Sequence, residues 1–544
     1  MLNRVLWPGE YKVSSFFESN RNFYLILFAA MLVRSFPFGF VYFTFSDDHN
    51  AYGIFALFQE NLWHDVVLRY ELFGFRPLAG LTDAYIISRF WDNMAFVLLA
   101  VTALQFATIL LLDSVFAKSG IMWGRAAAVF FAFFPALTES AYWINASSRI
   151  VTSAFFAALA CFAVLKFIYK EAGHLFWLAV ALLSGILAQG FYEQGAIFAF
   201  TLTFGILILH RKAIEHKVLF IWPFINLSMI ITHYYIFRNV GYLSDRAEIA
   251  GADGLSLIPT IIARIGRAFV LEQAPTVINA LRWGIAGLIA DHLPLMIVIV
   301  LLSFVLACFA VVDGTLKRDA SISVVWSIIA GLTLSLSTLS IFFILADAWI
   351  WVRNFYYTVI GLAILVQMAV NVLFYYRSNR AVMALKYTFA FAVVFVFISS
   401  FILEVDSLRK TDYYDRLIVS NMINEIDRLG TRNDQTVWLF GLRWNYERKI
   451  NPRIVSSIRE DWAINGHFGA ATHRKAHERP WIVPVMNDQM TDIDFSDDVL
   501  LGLDIYFNVS ALYFDGNYLV FVESGEVFGI LDLADSGRFT IVRN

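Results

Sequence analysis

The sequence predicts a polytopic α-helical membrane protein with a small soluble α+β domain at its C-terminal end. Hydrophobic residues make up 59% of the chain and charged residues only 16%, whereas soluble domains carry about 25% charged residues. Apolar runs of roughly 20 residues, the length that crosses a bilayer, recur along residues 1–404. The composition then becomes polar, which predicts the soluble domain.

We expect about eleven membrane-spanning helices in residues 1–404. In chain order they are 22–45, 94–113, 123–139, 150–168, 175–191, 194–210, 218–236, 293–313, 321–345, 354–375 and 383–403. Lys and Arg collect in every second connection, as they do in cytoplasmic loops, so the N-terminus is predicted to be cytoplasmic. Residues 46–93 and 237–292 then form extracytoplasmic loops, and residues 405–544 an extracytoplasmic domain.

Charge and cysteine content exclude several other classes of protein. The formal net charge is -3, which gives no indication of nucleic-acid binding. The two cysteines, Cys161 and Cys308, lie inside predicted spans. Neither a disulfide framework nor a cysteine metal site is therefore expected.

Both long loops contain amphipathic patterns. Residues 50–75 have the pattern of a helix lying in the membrane interface. A second pattern runs from Leu255 to Val270 and includes Arg264 and Arg267. It indicates either a basic helix that binds a lipid phosphate or an ordinary surface helix with its arginines in water.

The polar C-terminal region is predicted to combine one helix with short strands. The helix is expected to be capped by Thr411 and to end at Leu429, before Gly430. The predicted strands are Val437–Leu442, Trp481–Val485, Asp504–Asn508, and a hairpin of Ala511–Phe514 with Tyr518–Val522. His467, His473 and His477 are expected in a solvated polar loop rather than at a metal site.

Charged residues at the non-cytoplasmic ends of the spans are the candidate functional residues, because such groups are costly at membrane depth. Asp47 and Asp48 directly follow the first predicted span. Two adjacent carboxylates repel each other, so the pair indicates a cation, a metal or a hydroxylic substrate. The alternative is that they end the helix and point into water. The same side carries Glu139, Arg149, Glu193 and Arg353.

Four stretches resemble motifs of the GT-C class of polytopic glycosyltransferases, particularly the protein O-mannosyltransferase-like and tetratricopeptide-linked transmembrane mannosyltransferases. They are Asp47-Asp48 with the later Arg76-Pro77-Leu78, Phe134 to Ile144 with the later Arg149, Phe191-Tyr192-Glu193, and Trp351 to Tyr357. The acidic pair after the first span also resembles phage-type glucosyltransferases that modify O-antigen. Residues 405–544 resemble no named family.

The resemblance implies a hexosyltransferase that moves a sugar from a polyprenyl-phosphate donor to an extracytoplasmic glycan, lipid or protein. It implies Asp47 as the base for the acceptor hydroxyl, with Asp48 as second choice or as a metal or structural partner. Arg353 is expected to neutralise the leaving phosphate. Glu139 is expected to bind the sugar or to hold Arg149.

The remaining site residues carry looser expectations. Glu193 is expected to act like Glu139, and Tyr356 belongs to the donor-binding set. Arg76 either binds phosphate or pairs with Asp83. A divalent cation stays open, with Asp47, Asp48 and His49 as its ligands, and no other cofactor is implied. The expected location is a bacterial inner membrane.

Three other functions remain as alternatives. A transporter or flippase for a lipid-linked sugar is disfavoured, because Arg34 is nearly the only charge in the middle of a predicted span. An O-antigen ligase or polymerase would rely on outside arginines and histidines rather than on Asp47. A binding or structural protein would tolerate replacement of Asp47 and Glu139.

Overall fold

The structure, a computed structural model, describes most of the chain. The described residues are 16–45, 48–53, 76–170, 172–215, 217–225, 227–228, 254–271, 273–315, 324–343, 350–375, 380–442, 454, 456–474, 478–485, 499–503, 506–515, 518–523, 526–532 and 538–540. Asp47, His477 and the predicted interfacial helix from residue 54 onward lie outside this set.

The chain divides into two compact units. The first contains Met1–Tyr42, Val67–Thr82 and Asn93–Val405. The second contains Phe43–Val66, Asp83–Asp92 and Asp406–Asn544. Two segments from the N-terminal part of the chain, Phe43–Val66 and Asp83–Asp92, therefore belong to the same unit as the C-terminal region.

Helices dominate the described residues. In chain order they are α1 Asn20–Ser35, α2 Pro77–Tyr85, α3 Ala95–Lys118, α4 Arg125–Phe133, α5 Thr138–Tyr142, α6 Ile144–Ile168, α7 His174–Phe191, α8 Glu193–Leu209, α9 Gly254–Gly266, α10 Gln273–Asn279, α11 Ile285–Asp291, α12 Leu293–Thr315, α13 Val324–Ser337, α14 Tyr356–Tyr375, α15 Arg380–Leu429 and α16 Asp461–Thr472.

Six of the described helices are long and apolar enough to cross a membrane, judged by length and composition: α3, α6, α7, α12, α14 and α15. Two further apolar helices, α8 and α13, are shorter. These helices indicate a helical membrane protein. The prediction of about eleven spans is wrong for the described residues, in which several predicted spans are short or broken, and the predicted span 218–236 lies partly outside them.

The first predicted span, 22–45, is shorter than expected. Helix α1 has 16 residues, which rise about 24 Å and fall short of a hydrocarbon core of about 30 Å. It ends at Ser35 because Pro37 disfavours the helical conformation of the residue before it, and Phe36 has left that conformation. Residues 36–45 are not helical, so the acidic pair does not directly follow a helix.

The third predicted span, 123–139, is broken at Pro135. Helix α4 ends at Phe133, Pro135 begins a short 3-10 turn, and α5 starts at Thr138. A proline lacks the N–H that the helix needs and clashes with the preceding turn, which accounts for the break. The break places Glu139 in the first turn of α5.

Close packing between α13 and α14 depends on glycine. A Cβ added at Gly361 would fall inside van der Waals contact with the carbonyl oxygen of Gly331 and with Ser335. The backbones approach closely there, as small residues allow in apolar helix pairs.

The second unit combines the end of α15 and α16 with a mixed sheet. The strands are β1 Thr436–Phe440, β2 Trp481–Pro484, β3 Val499–Leu503, β4 Val509–Asp515, β5 Tyr518–Glu523, β6 Glu526–Asp532 and β7 Arg538–Thr540, in the order β2-β1-β3-β4-β5-β6-β7. Strand β1 runs parallel to β2 and β3, and the remaining neighbours are antiparallel. The core includes Ile418 and Met422 of α15, Val437 of β1 and Phe468 of α16.

The C-terminal predictions were partly correct. Gly430, with φ +64°, ends α15, and the predicted hairpin is formed by β4 and β5. Thr411 does not begin a helix, because α15 continues unbroken from Arg380 to Leu429 over 50 residues. The strand expected at Asp504–Asn508 is instead Val499–Leu503, where a more apolar segment packs into the core.

Candidate functional site

Arg353 and Glu139 form an ion pair in the first unit. Arg353 lies in the 3-10 turn that precedes α14, and its Nη1 donates a 2.8 Å hydrogen bond to Glu139 Oε1. The guanidinium also lies 4.9 Å from the ring centre of Trp143, within the range of a cation–π contact. Both side chains retain some exposure, 26% for Arg353 and 15% for Glu139. A ligand therefore has access to the pair.

A second ion pair joins Arg76 to Glu193, the first residue of α8. Arg76 Nε and Nη2 donate to the two carboxylate oxygens of Glu193 at 2.6 Å and 2.5 Å. These two hydrogen bonds form a bidentate pair, which fixes the guanidinium and carboxylate planes relative to each other. The Arg76 guanidinium lies 4.3 Å from the ring centre of Tyr192. Arg76 thus pairs with Glu193 in place of the predicted alternative, Asp83, which accepts a hydrogen bond from Tyr52.

Tyr192 connects the two ion pairs. Its hydroxyl accepts a 3.0 Å hydrogen bond from Asn354, the neighbour of Arg353, and its electrostatic environment includes Arg76, Arg353 and Arg149. Arg149 is buried, donates to Asn145 at 2.5 Å, and also interacts electrostatically with Glu193. Glu139 holds Arg353. We call Arg76, Glu139, Arg149, Tyr192, Glu193, Arg353 and Asn354 the arginine network.

The arginine network carries an excess of positive charge. Among its described residues are three guanidinium groups, of Arg76, Arg149 and Arg353, and two carboxylates, of Glu139 and Glu193. Helices α5, α6, α8 and α14 begin within a few residues of these side chains, so the positive ends of their dipoles add to the potential. A single added anion would balance the formal charge of the network.

Tyr356 lies apart from the accessible groups. Its side chain is fully buried, its ring contacts Phe131 at 5.2 Å between centres, and its hydroxyl has no hydrogen-bond partner within the described part of the chain. The predicted donor-binding role of Tyr356 therefore lacks the exposure that direct contact with a ligand requires.

The second unit holds Asp48 and His49. Asp48 is buried, and its Oδ2 accepts a 2.9 Å hydrogen bond from the backbone N–H of Phe45. The imidazole of His49 stacks on that of His467 with ring centres 3.7 Å apart and planes 13° from parallel. His467 lies on α16 and is only 4% exposed, so its predicted place in a solvated loop is wrong. His473 is exposed at the end of the same helix.

Burial keeps both stacked imidazoles neutral. It lowers the pKa of His49 well below the usual value, and the neighbouring His467 and Arg416 lower it further. Burial, together with Arg416, lowers the pKa of His467 to about 3. At neutral pH the two rings therefore stack without electrostatic repulsion.

The divalent-cation site predicted at Asp47, Asp48 and His49 is described only in part, because Asp47 lies outside the described residues. No group of three or more His, Cys, Asp or Glu side chains that could hold a metal occurs among them. The lone pairs of two stacked imidazoles lie in nearly parallel planes, so they do not converge on one ion.

Tyr192 and Asn354 are not among the site residues predicted from the sequence. Tyr192 lies within a stretch that resembles a family motif, and Asn354 follows Arg353 directly. Their position next to charged candidates at helix ends was the available signal. Their role as connectors depends on a contact between residues 162 positions apart in the chain, which local pattern does not encode.

The fold and the arginine network define a helical chain with membrane-length apolar helices and an accessible cationic site where several helices begin. No family model, no curated protein and no solved structure matches the chain.

Proposed function

We propose that this protein is an integral-membrane glycosyltransferase of the GT-C class that transfers a sugar from a polyprenyl-phosphate donor to an acceptor outside the cytoplasm. The observation that carries the proposal is the excess of guanidinium groups in the arginine network. Buried or half-buried cations need counter-charges, and a lipid phosphate supplies one at the membrane boundary.

The arginine network is suited to a phosphodiester. A sugar linked to a lipid through one phosphate carries one negative charge, which balances three arginines against two glutamates. Arg353 and Arg76 are about equally exposed, 26% and 25%, and Arg353 has hydrogen-bond donors beyond the one that Glu139 accepts. We assign Arg353 to the phosphate oxygen that becomes the leaving group.

The proposed reaction is a displacement at the anomeric carbon. The acceptor hydroxyl oxygen forms the new bond, the bond from carbon to phosphate oxygen breaks, and the phosphate leaves with its electron pair. The hydroxyl proton passes to a carboxylate, for which the sequence resemblance offers Asp47. Asp48 is the weaker candidate, because its carboxylate is buried and already accepts a backbone hydrogen bond.

The remaining parts of the proposal rest on the sequence. They are a cytoplasmic N-terminus, a bacterial inner membrane, and an acceptor recognised by the C-terminal region. A transporter is less well supported, because Arg34 lies in the last turn of α1 rather than in the middle of a span. Its guanidinium donates to Gln105 and to the carbonyl oxygen of Ala132, near the end of α4, as a helix-capping cation does.

The test is transfer of radiolabelled sugar from polyprenyl-phosphate donors in membranes that contain wild type, Arg353→Ala or Asp47→Asn at equal protein levels. Lys170→Ala is the matched control, because Lys170 forms an equally short ion pair, 2.7 Å, in which both side chains are more than half exposed. We expect transfer to be lost in the first two variants and retained in the control. Transfer by Arg353→Ala at the wild-type rate, or no transfer by wild type from any donor, would contradict the proposal.

A further inference from the structure

Two separate contacts tie the segment that carries Asp48 to the C-terminal region within the second unit. On the N-terminal side of the acidic pair, Thr44 donates a short hydrogen bond to Asp412 of α15, and Arg416 donates to Thr44 at 3.0 Å. On the C-terminal side, His49 stacks on His467 of α16. The acidic pair therefore lies in sequence between two attachment points.

The second attachment point is closely packed as well as stacked. Trp91 contacts the His49 ring edge-on with centres 5.2 Å apart. A Cβ added at Gly53 would lie 2.8 Å from Ala470 Cβ and 2.9 Å from the Trp91 ring, so the turn of residues 49–53 touches α16 directly. Both imidazoles are almost completely buried.

The stacking is specific in its chemistry. Neither His49 Nδ1 nor His467 Nδ1 has a hydrogen-bond partner in the part of the chain that the structure describes. The two residues contact each other ring against ring, which a flat hydrocarbon ring can reproduce and a methyl group cannot.

We propose that His467 is a positioning residue that holds the Asp48–His49 segment, so that the C-terminal region forms part of the catalytic apparatus and is more than an appended acceptor-binding domain. The inference rests on the proposed function in so far as it assigns catalysis to the acidic pair. The attachment itself can be tested without any transfer assay.

The experiment compares the full-length chain in lipid nanodiscs as wild type, His467→Ala, His467→Phe and His473→Asn. Hydrogen exchange of the backbone amides of residues 48–53 reports the attachment, and exchange in β1 reports the fold of the second unit. His473→Asn is the matched control, because His473 lies on the same helix but is exposed and has a positive φ, which asparagine tolerates. Transfer kinetics, where wild type has activity, are measured in parallel.

We expect residues 48–53 of His467→Ala to exchange about tenfold faster than in wild type, with β1 unchanged. We expect His467→Phe and His473→Asn to exchange like wild type. In the transfer assay, His467→Ala should lower kcat with little change in the donor KM, and His467→Phe should restore kcat, which a general loss of folded protein would not do.

Unchanged exchange of residues 48–53 in His467→Ala would overturn the inference and leave the proposed function standing. Inactive wild type would refute the proposed function, while the exchange data would still decide the attachment. If His467→Ala unfolds the second unit and loses protection in β1 as well, His467→Phe then tests the attachment. Faster exchange of residues 48–53 in His467→Phe, with β1 unchanged, would show that ring stacking does not hold the segment.

Discussion

Arg353 donates to Glu139 across 214 positions of the chain, from a turn before α14 to the first turn of α5. Glu139 reaches this position only because Pro135 ends the preceding helix and allows the chain to start a new one. The ion pair therefore depends both on a local sequence signal, Pro135, and on a contact between distant parts of the chain.

This ion pair should contribute measurably to stability. We expect Glu139→Gln to lower the free energy of unfolding by about 1–3 kcal/mol, because it leaves a half-buried guanidinium without its charged partner. Lys170→Gln, which breaks an exposed pair, should change it by less than about 1 kcal/mol. Unfolding by SDS in mixed micelles measures both, and equal effects of the two variants would argue against a special role for the Arg353 pair.

The two hydrogen bonds from Arg76 to Glu193 predict that lysine cannot replace Arg76. We expect Arg76→Lys to lower kcat/KM for the lipid-linked donor about tenfold, because one ammonium cannot make both hydrogen bonds. Glu193→Gln should cause a loss of similar size, and the double variant should lose less than the two effects combined, since the residues act as a unit. Additive losses in initial-rate measurements would indicate that the two side chains act independently.

The buried carboxyl group of Asp415 should make the second unit more stable at acidic pH than at neutral pH. Burial raises the pKa of its carboxyl from 3.8 to about 6, although Ser456 and Ser457 donate hydrogen bonds that oppose the shift. Because the folded form holds its proton to higher pH than the unfolded form, this group stabilises the fold below about pH 4, and the contribution is lost as the pH rises through about 6. The full effect is about 3 kcal/mol.

Asp415→Asn removes the titration and should flatten this part of the pH profile. Hydrogen exchange of the Ser457 amide, which donates to Asp415 at 3.0 Å, measures local stability after correction for the intrinsic exchange rate. The wild-type protection factor should fall between pH 4 and pH 6.5 and that of Asp415→Asn should not. Parallel profiles for the two proteins would contradict the assignment.

The close packing of α13 against α14 predicts that no side chain larger than that of glycine fits at Gly361. Gly361→Ala should destabilise the first unit by about 1–3 kcal/mol, because the new methyl group meets the backbone of Gly331, which cannot move aside without moving a helix. Gly205→Ala on α8 is the matched control, since nothing lies within 4 Å of its added Cβ. A melting temperature of Gly361→Ala at or above that of the control would contradict this packing.

Local pattern was sufficient where the physical cause is local. Apolar composition predicted the membrane-length helices, Gly430 predicted the end of α15, and the β4–β5 hairpin followed from its turn. Apolar composition also concealed two breaks, because Pro37 and Pro135 stop helices within runs that are long enough to span a membrane. The backbone chemistry of proline prevailed there over hydrophobic length.

By itself, the sequence determined that this chain is a helical, membrane-compatible protein with charged residues where its apolar runs end. Only the tertiary structure decided which charges pair, that Tyr192 joins the two ion pairs, and that His467 is buried against His49. The reason is that periodicity and composition report interactions over a few residues. Pairing of side chains that are far apart in the chain, 162 positions for Tyr192 and Asn354, depends on how the helices pack, and therefore on the folded chain as a whole.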